Sequence, residues 1–143
     1  MSGEASARVL GACIEDFNSR DAACAQRHYS DDVEHAVPAL RAVWRGRAEH
    51  AAAFRRLWQA SPDLRLTVVS TLGDDDQAVA EWVIRGTLEQ PLDDLPATGR
   101  RFEVRGVSCA RLADGKVRRQ VDYWDLPTLL RQLGLLPPLD GRR

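Results

Sequence analysis

Asp122 is the side chain in this sequence best placed for acid/base chemistry. It lies in the string VDYWD near the end of the chain, where Gln120 and Trp124 share its side of a predicted strand. A carboxylate between aromatic residues loses hydration, and this raises its pKa toward the range in which a general base works at neutral pH. The alternative is an ion pair on a solvated sheet face with one of three arginines, Arg105, Arg111 and Arg118. A one-residue bulge at Gly115 would exchange the cross-strand partners, so strand parity leaves both interpretations open.

Histidine and serine side chains are the candidate partners of this carboxylate. His35 lies in a short extended segment, residues 33–37, where a neutral imidazole could meet a substrate. Ser108 lies on a neighbouring predicted strand, and either residue could hydrogen-bond a developing oxyanion. His28 and His50 fall within predicted helices, which favours surface or packing positions for both.

The strand that carries Ser108 has small residues on one face. That face consists of Val104, Gly106, Ser108, Ala110 and Leu112. Small residues either leave space for a cavity or accommodate a large neighbour such as Trp82. Together with Ser108 and Gln120, five aromatic residues of the core are predicted to line such a pocket and bind substrate: Trp44, Phe54, Trp58, Trp82 and Trp124.

The composition indicates one domain, residues 1–143, and excludes several classes of partner. The 20 basic and 21 acidic residues are mixed along the chain, which argues against nucleic acid and anionic membranes. No apolar run approaches the ~20 residues of a membrane span, and the first residues lack the order of a signal peptide, so a cytoplasmic location is predicted. Three cysteines without metal spacing, and no phosphate-binding or dinucleotide-binding motif, predict neither metal nor cofactor.

The elements that position these residues are predicted as helices first and strands later. Apolar residues at steps of three and four predict a helix ending near Asn18, a second from Ala22 to Tyr29 capped by Asp21, and a third between Gly46 and Ser61. The period then changes to two over residues 64–72, 78–89, 102–112 and 117–124. This order predicts an α+β fold with an antiparallel meander.

Turn and cap signals divide the end of the chain. Asp114 and Gly115 predict a tight hairpin between the last two strands, because both tolerate positive φ. Asp125 directly precedes Leu126 and Pro127, so we interpret it as the N-cap of a terminal helix, residues 126–133.

Several strings, in order along nearly the whole chain, resemble the SnoaL-like polyketide cyclases. They are YSDDVEHAVP, WRG, SPDLRLTV, RGTLEQPLDDLPATGRRFEVRGVSCARLADGKV and VDYWDLPTLLRQLGLL. The resemblance implies a nuclear transport factor 2-like, or cystatin-like, cone in which a curved antiparallel sheet wraps N-terminal helices around a central pocket. It also implies a dimer through the sheet, and ring closure by intramolecular aldol condensation without metal or cofactor. In that family an Asp on the last strand is the acid/base, and by order it is similar to Asp122.

The related limonene epoxide hydrolases end in a similar string, but the present sequence departs from them. Those enzymes add an Arg-x-Asp on a neighbouring strand, whereas this sequence has Arg85 followed by Thr87 in place of the acid. Some cyclases carry a His or Asn on the penultimate strand, where this chain offers Ser108 and Cys109.

The resulting hypothesis is a cyclase acting on a small hydrophobic, polyketide-like substrate. In it Asp122 removes a proton next to a carbonyl, and His35 or Ser108 assists. Two alternatives stay open: epoxide-opening or cyclic-ether chemistry with the same Asp, and a ligand-binding accessory domain without catalysis. An apolar stripe of Val117, Val121 and Tyr123 on the other face of the last strand predicts a homodimer through the sheet.

Overall fold

The computed structural model describes residues 2–139, and within that range the chain forms four α-helices and six strands. The helices are α1 (Gly3–Asp16), α2 (Ala22–Gln26), α3 (Gly46–Ala60) and α4 (Leu126–Gln132). The strands are β1 (Tyr29–Val37), β2 (Ala42–Arg45), β3 (Arg65–Gly73), β4 (Gln77–Thr87), β5 (Arg101–Ala113) and β6 (Lys116–Trp124). None of the helices in residues 2–139 has the length and apolarity needed to cross a membrane.

All six strands belong to one curled sheet, in the order β2-β1-β6-β5-β4-β3. Neighbouring strands are antiparallel except β1 and β6, which run parallel. Helix α1 packs on β3 and β4, and α3 packs on β1, so the helices fill the concave side of the sheet. The predicted α+β cone is therefore confirmed, with β6 as a central strand.

The predicted elements agree with the structure except around β1. The sequence indicated only a short extended segment there and assigned Tyr29 to the second helix, but α2 ends at Gln26 and Tyr29 begins a nine-residue strand. Strand β2 was not predicted, because its four residues include one buried side chain, Trp44, and carry little alternation. The β1–β2 pair adds to β6 and brings His35 beside the last strand.

Both predicted aspartate caps are confirmed. Asp21 Oδ1 accepts hydrogen bonds from the backbone N–H groups of Ala23, at 2.9 Å, and Cys24, at 3.5 Å. Asp125 accepts from the backbone N–H of Thr128 at 3.4 Å and from its hydroxyl at 2.8 Å. Asp125 thus begins α4, and this contact accounts for the residue.

A β-bulge in the last hairpin decides which side chains of β6 face the core. Arg111 pairs with Arg119 while the next residue, Leu112, pairs with Val117, so Arg118 is the extra residue of β6. In a regular strand, residues three apart face opposite sides of the sheet. Because of this insertion, Val117 and Gln120 both face the core and are buried. The expectation that Val117 shares an outward face with Val121 and Tyr123 is therefore wrong, since Val117 is fully buried.

Gly106 provides room for the Trp82 ring across the β4–β5 ladder. The two residues are register partners, and a Cβ at position 106 would collide with Cη2 of Trp82. The sequence left two alternatives for the small-residue face, and the structure has both, because Trp82 fills the space at Gly106 while a cavity remains beyond it.

We expect Gly106→Ala to lower the free energy of unfolding by roughly 1–3 kcal/mol, because the new methyl group must displace the indole ring from a packed position. Thermal denaturation followed by circular dichroism measures this. Gly11→Ala is the matched control, since a Cβ there meets only Thr71 Cγ2 at 3.6 Å and alanine favours the helix. An unchanged melting temperature for Gly106→Ala would show that Trp82 can move freely.

Candidate active site

An internal cavity of about 130 Å³ lies between the concave face of the sheet and the helices. Apolar side chains make most of its wall, including Leu88, Leu92 and Leu95 from the loop after β4, and Leu129 from α4. Its polar lining residues are Tyr29, His35, Ser61, Ser108, Gln120 and Asp122.

Most of the predicted site residues line this cavity, and one does not. Those that do are His35, Trp44, Phe54, Trp82, Ser108, Gln120, Asp122 and Trp124. Trp58 is buried in the core outside the lining, where its indole N–H donates to the carbonyl of Phe17 at 3.1 Å. The prediction that Trp58 binds substrate is therefore not supported by its position.

Three side chains contact the Asp122 carboxylate, and a fourth, Tyr29, holds one of them. Its Oδ1 accepts from the Ser108 hydroxyl at 2.6 Å and from the Gln120 amide at 2.9 Å. Its Oδ2 lies 2.7 Å from His35 Nε2, and Tyr29 donates to Oε1 of Gln120 at 2.8 Å. None of the arginines considered from the sequence pairs with it, because Asp122 faces the cavity.

This geometry leaves one acceptor position of Asp122 for a substrate. A carboxylate has about four lone-pair positions, and three donors occupy two on Oδ1 and one on Oδ2. The remaining position is on Oδ2, and the side chain is 17% exposed. The atom that could exchange a proton with a bound molecule is therefore Oδ2.

Asp122 is ionised in this environment. Burial raises the pKa of its carboxyl, but the charge and hydrogen bond of His35, together with the hydrogen bonds from Ser108 and Gln120, lower the pKa by more. The net pKa lies below the ordinary value for an aspartic acid, so the expectation of a raised pKa is wrong. The sequence indicated the desolvation of Asp122 but not the donors that compensate for it.

A second histidine lies directly behind His35. His35 Nδ1 is 2.8 Å from His50 Nε2, and His50 Nδ1 is 2.9 Å from Oε1 of Gln26. His50 is fully buried, and burial, reinforced by His35 and opposed by Asp122, lowers its pKa to about 3. His50 is therefore neutral, and the prediction of a packing position included its burial but not this chain of hydrogen bonds.

The two side chains predicted to hydrogen-bond an oxyanion, His35 and Ser108, already make hydrogen bonds to Asp122 and its neighbours. Ser108 donates to Asp122 and accepts from the Trp82 indole at 2.9 Å, while both ring nitrogens of His35 have partners. Trp44 and Trp124 also line the cavity, and their indole N–H groups make no hydrogen bond to another residue in the described range 2–139. A substrate carbonyl could therefore accept from either indole.

Sequence reasoning missed Gln26, Tyr29 and His50 as members of this network. The signal available was the position of His50 in α3, four residues before Phe54, which places both on the buried face of the helix. A buried polar side chain requires a partner, and this requirement could have linked His50 to His35. Over residues 2–139 no group of three His, Cys, Asp or Glu side chains is arranged to hold a metal ion.

A curled sheet around helices, with a carboxylate at the polar end of an apolar cavity, is the nuclear transport factor 2-like or ketosteroid isomerase-like fold. Residues 7–133 match the family described as SnoaL-like polyketide cyclase, and the chain belongs to that family.

Solved structures and one curated relative are similar to the chain. TsrD from Streptomyces laurentii is 29% identical, with a TM-score of 0.83 over 95% of this chain and 99% of its own. AclR from Streptomyces galilaeus, named as a candidate hydroxylase, is 25% identical, with a TM-score of 0.76 over 95% and 91%. A Catenulispora acidiphila protein with a ketosteroid isomerase-like fold, solved with trimethylamine, is 18% identical, with a TM-score of 0.78 over 90% and 93%, and shares the fold.

The curated relative is a much longer protein. Protein nucleotidyltransferase YdiU of Rhodopseudomonas palustris (strain HaA2) is 31% identical over an alignment of 112 positions, which covers 74% of this chain and 23% of that protein. The chain therefore spans about a quarter of the relative's length.

Proposed function

We propose that the protein is a cofactor-independent cyclase that closes a ring within a small hydrophobic, polyketide-like substrate, with Asp122 as acid and base. One observation carries the proposal: an ionised carboxylate with a single vacant acceptor position at the polar end of an apolar cavity. Membership of the SnoaL-like polyketide cyclase family supports the same class of reaction.

The proposed reaction begins and ends with the same proton. Asp122 Oδ2 takes a proton from a carbon next to a carbonyl group, and the electron pair of the broken C–H bond forms an enolate. The enolate carbon attacks a second carbonyl of the same molecule, and the resulting alkoxide recovers the proton from Asp122. Atoms balance, because the product is a cyclic isomer, and the cavity supplies proximity between the two carbonyls.

The site favours a neutral substrate with an acidic C–H bond. Because the pKa of Asp122 is lowered, it is a weak base and suits a carbon that lies between two carbonyl groups. Neither lysine nor arginine is among the described residues of the lining, so an anionic substrate would find no counter-charge beyond the network of His35. The indole N–H of Trp44 or Trp124 could stabilise the enolate oxygen.

The contacts of Arg85 and Thr87 give no support to the epoxide hydrolase alternative. Arg85 is exposed and pairs with Glu103 at 2.7 Å, and Thr87 donates to Asp63 at 2.8 Å, all outside the main cavity. A nucleotidyltransferase activity like that of the longer relative is not favoured either. The described lining of the cavity contains neither Lys nor Arg, so it has no cationic side chain that would bind a nucleotide phosphate. A ligand-binding accessory domain would need no ionised carboxylate facing the cavity.

The proposal is tested by incubating the purified protein with a panel of linear poly-β-carbonyl esters and analysing the products by liquid chromatography and mass spectrometry. We expect a faster-formed product of unchanged mass, or of that mass less one water, in at least one reaction. Binding of panel members without any conversion would instead support the accessory-domain alternative.

We also propose that the protein is a homodimer through the outer face of the sheet, with a cytoplasmic location as predicted from the sequence. One register row crosses all six strands on this face, and its members are Leu72, Val79, Cys109, Val121, Ala36 and Val43. Leu72 is 75% exposed, and Tyr123 beside the row is 54% exposed. An apolar row of this extent favours association of two sheets.

Light scattering at micromolar concentration should give twice the chain mass for the wild type and a lower mass for Val79→Glu, which places a charge in the row. Val69→Glu is the matched control, because Val69 is an exposed valine outside the row. A monomer mass for the wild type would contradict the dimer.

A further inference from the structure

Three buried polar side chains form a line that ends on the candidate acid/base. From the cavity inward, Asp122 is followed by His35, His50 and Gln26, joined at 2.7, 2.8 and 2.9 Å. The residues come from four elements, β6, β1, α3 and α2. Gln26 is 7% exposed and its Nε2 has no hydrogen-bond partner among the described residues.

We propose that His50 and Gln26 are positioning residues that hold a hydrogen on Nδ1 of His35 and so confine one mobile proton to the contact between His35 and Asp122. The inference rests on the proposed role of Asp122 as acid and base, and it extends that role to two residues that touch no substrate.

The direction of the hydrogen bonds follows from the innermost residue. Gln26 presents its carbonyl oxygen to His50, so Nδ1 of His50 carries a hydrogen and donates it. A neutral imidazole has one N–H, so Nε2 of His50 has a lone pair and accepts from His35. Nδ1 of His35 is thereby protonated, and its Nε2 faces Asp122.

In this arrangement a proton cannot be transferred from His50 to Gln26, the innermost residue of the line. The Gln26 amide cannot pass a proton on, and His50 already donates its single N–H to it. A proton taken from a substrate is therefore retained at the outer pair of His35 and Asp122 until it returns to the product. Removal of the hydrogen from Nδ1 of His35 would leave two lone pairs facing each other across 2.8 Å, which disfavours that state.

Among residues 2–139, no charged group other than Asp122 is placed to fix the hydrogen positions of His35. The titratable groups around it are Asp122 from β6, His50 from α3 and Tyr29 from its own strand. Burial raises the pKa of Tyr29 well above its usual value, so this phenol is neutral. Cys13 of α1 contacts Tyr29, and burial raises the pKa of the thiol to about 12, so it is neutral as well.

A purely packing role would not require these residue types. The ring centroid of His50 lies 4.4 Å from those of both Tyr29 and Phe54, a position that an apolar side chain could fill. Burying an imidazole and an amide there costs desolvation that an apolar residue avoids, and the hydrogen bonds along the line offset that cost only when all are made.

Nitrogen-15 NMR of the histidine side chains tests the proposal without any substrate, in the wild type and in Gln26→Met. In the wild type we expect His50 with its hydrogen on Nδ1 between about pH 5 and pH 8, and the partly exposed His28 serves as internal reference. In Gln26→Met, which removes the acceptor but keeps the side-chain volume, we expect both tautomers of His50. The hydrogen on Nδ1 of His35 should then exchange with solvent faster, because the lone pair of His50 Nε2 that accepts it is present only part of the time.

Two further variants separate positioning from packing. Gln26→Glu keeps an acceptor for His50 and should retain the Nδ1 hydrogen, while Gln59→Met changes an exposed glutamine of α3 and should alter neither signal. A wild-type His50 with its hydrogen on Nε2, or a Gln26→Met spectrum identical to the wild type, would overturn the proposal. If Gln26→Met failed to fold, the wild-type tautomer alone would decide. The activity of Asp122 variants tests the proposed function, whereas the histidine tautomers test the positioning proposal. The two proposals can therefore fail separately.

Discussion

Replacement of Asp122 by asparagine is expected to lower the turnover of any cyclised substrate on the order of a hundredfold to ten-thousandfold, because an amide cannot accept the proton. The fold should be retained. The amide oxygen can accept from Ser108 and Gln120 in place of Oδ1, and the amide nitrogen can donate to Nε2 of a neutral His35. Product formation measured by mass spectrometry, beside a thermal melt, gives both quantities.

Asp125→Asn is the matched control for this change. Asp125 lies three residues further along the chain and caps α4 through Thr128, and asparagine also caps helices well. We expect little change in either rate or stability. Near-wild-type turnover for Asp122→Asn, or loss of turnover for Asp125→Asn, would remove Asp122 from the role of acid/base.

Acidification is expected to destabilise the protein well before its carboxylates are protonated, because His50 is buried in its neutral form. The pKa of His50 falls from its ordinary value of 6.5, which applies to the unfolded chain, to about 3 in the folded protein. The unfolded state therefore binds more protons in this interval, and the free energy of unfolding falls as the pH falls. Full titration over the interval corresponds to a loss of about 5 kcal/mol, at about 1.4 kcal/mol for each pH unit.

Urea denaturation at a series of pH values between about 7 and 3 measures this slope. His50→Met removes the titrating group and should flatten the curve above about pH 4, whereas the control His28→Gln should not, since His28 is partly exposed. Asp122 adds to the loss only at lower pH. Its depressed folded pKa means that its contribution to stability is present above the unfolded value of 3.8 and is lost as the pH falls through the folded value. Equal slopes for the wild type and His50→Met would contradict the burial of a neutral His50.

The sequence predicted the parts of this fold that depend on local patterns. Alternation over β3 to β6, apolar spacing in the helices and the aspartate caps at Asp21 and Asp125 all depend on neighbours within a few residues, and all are present. The motif strings predicted the family. Strand β2 and the full length of β1 were missed because their stability comes from pairing with distant β6 rather than from their own sequence.

The parts of the site that could not be predicted depend on long-range contacts. Asp122 was found because it lies beside Tyr123 and Trp124 on a predicted strand, but its partner His35 is 87 residues away in sequence. The bulge at Arg118 reverses the parity of β6, and no residue pattern required it. The low pKa of Asp122 and the contact between His50 and His35 depend on side chains from separate helices and strands that meet at one cavity, so no local pattern predicts them.

Proton exchange between Asp122 and a carbon atom of the substrate is tested most directly by a crystal structure with a stable small 1,3-diketone such as benzoylacetone. We predict that the diketone occupies the cavity with its central carbon within roughly 3.5 Å of Asp122 Oδ2, at the vacant acceptor position, a distance suited to reaction. A diketone bound in the cavity with its central carbon turned away from Asp122, or bound only outside the cavity, would contradict this role of Asp122.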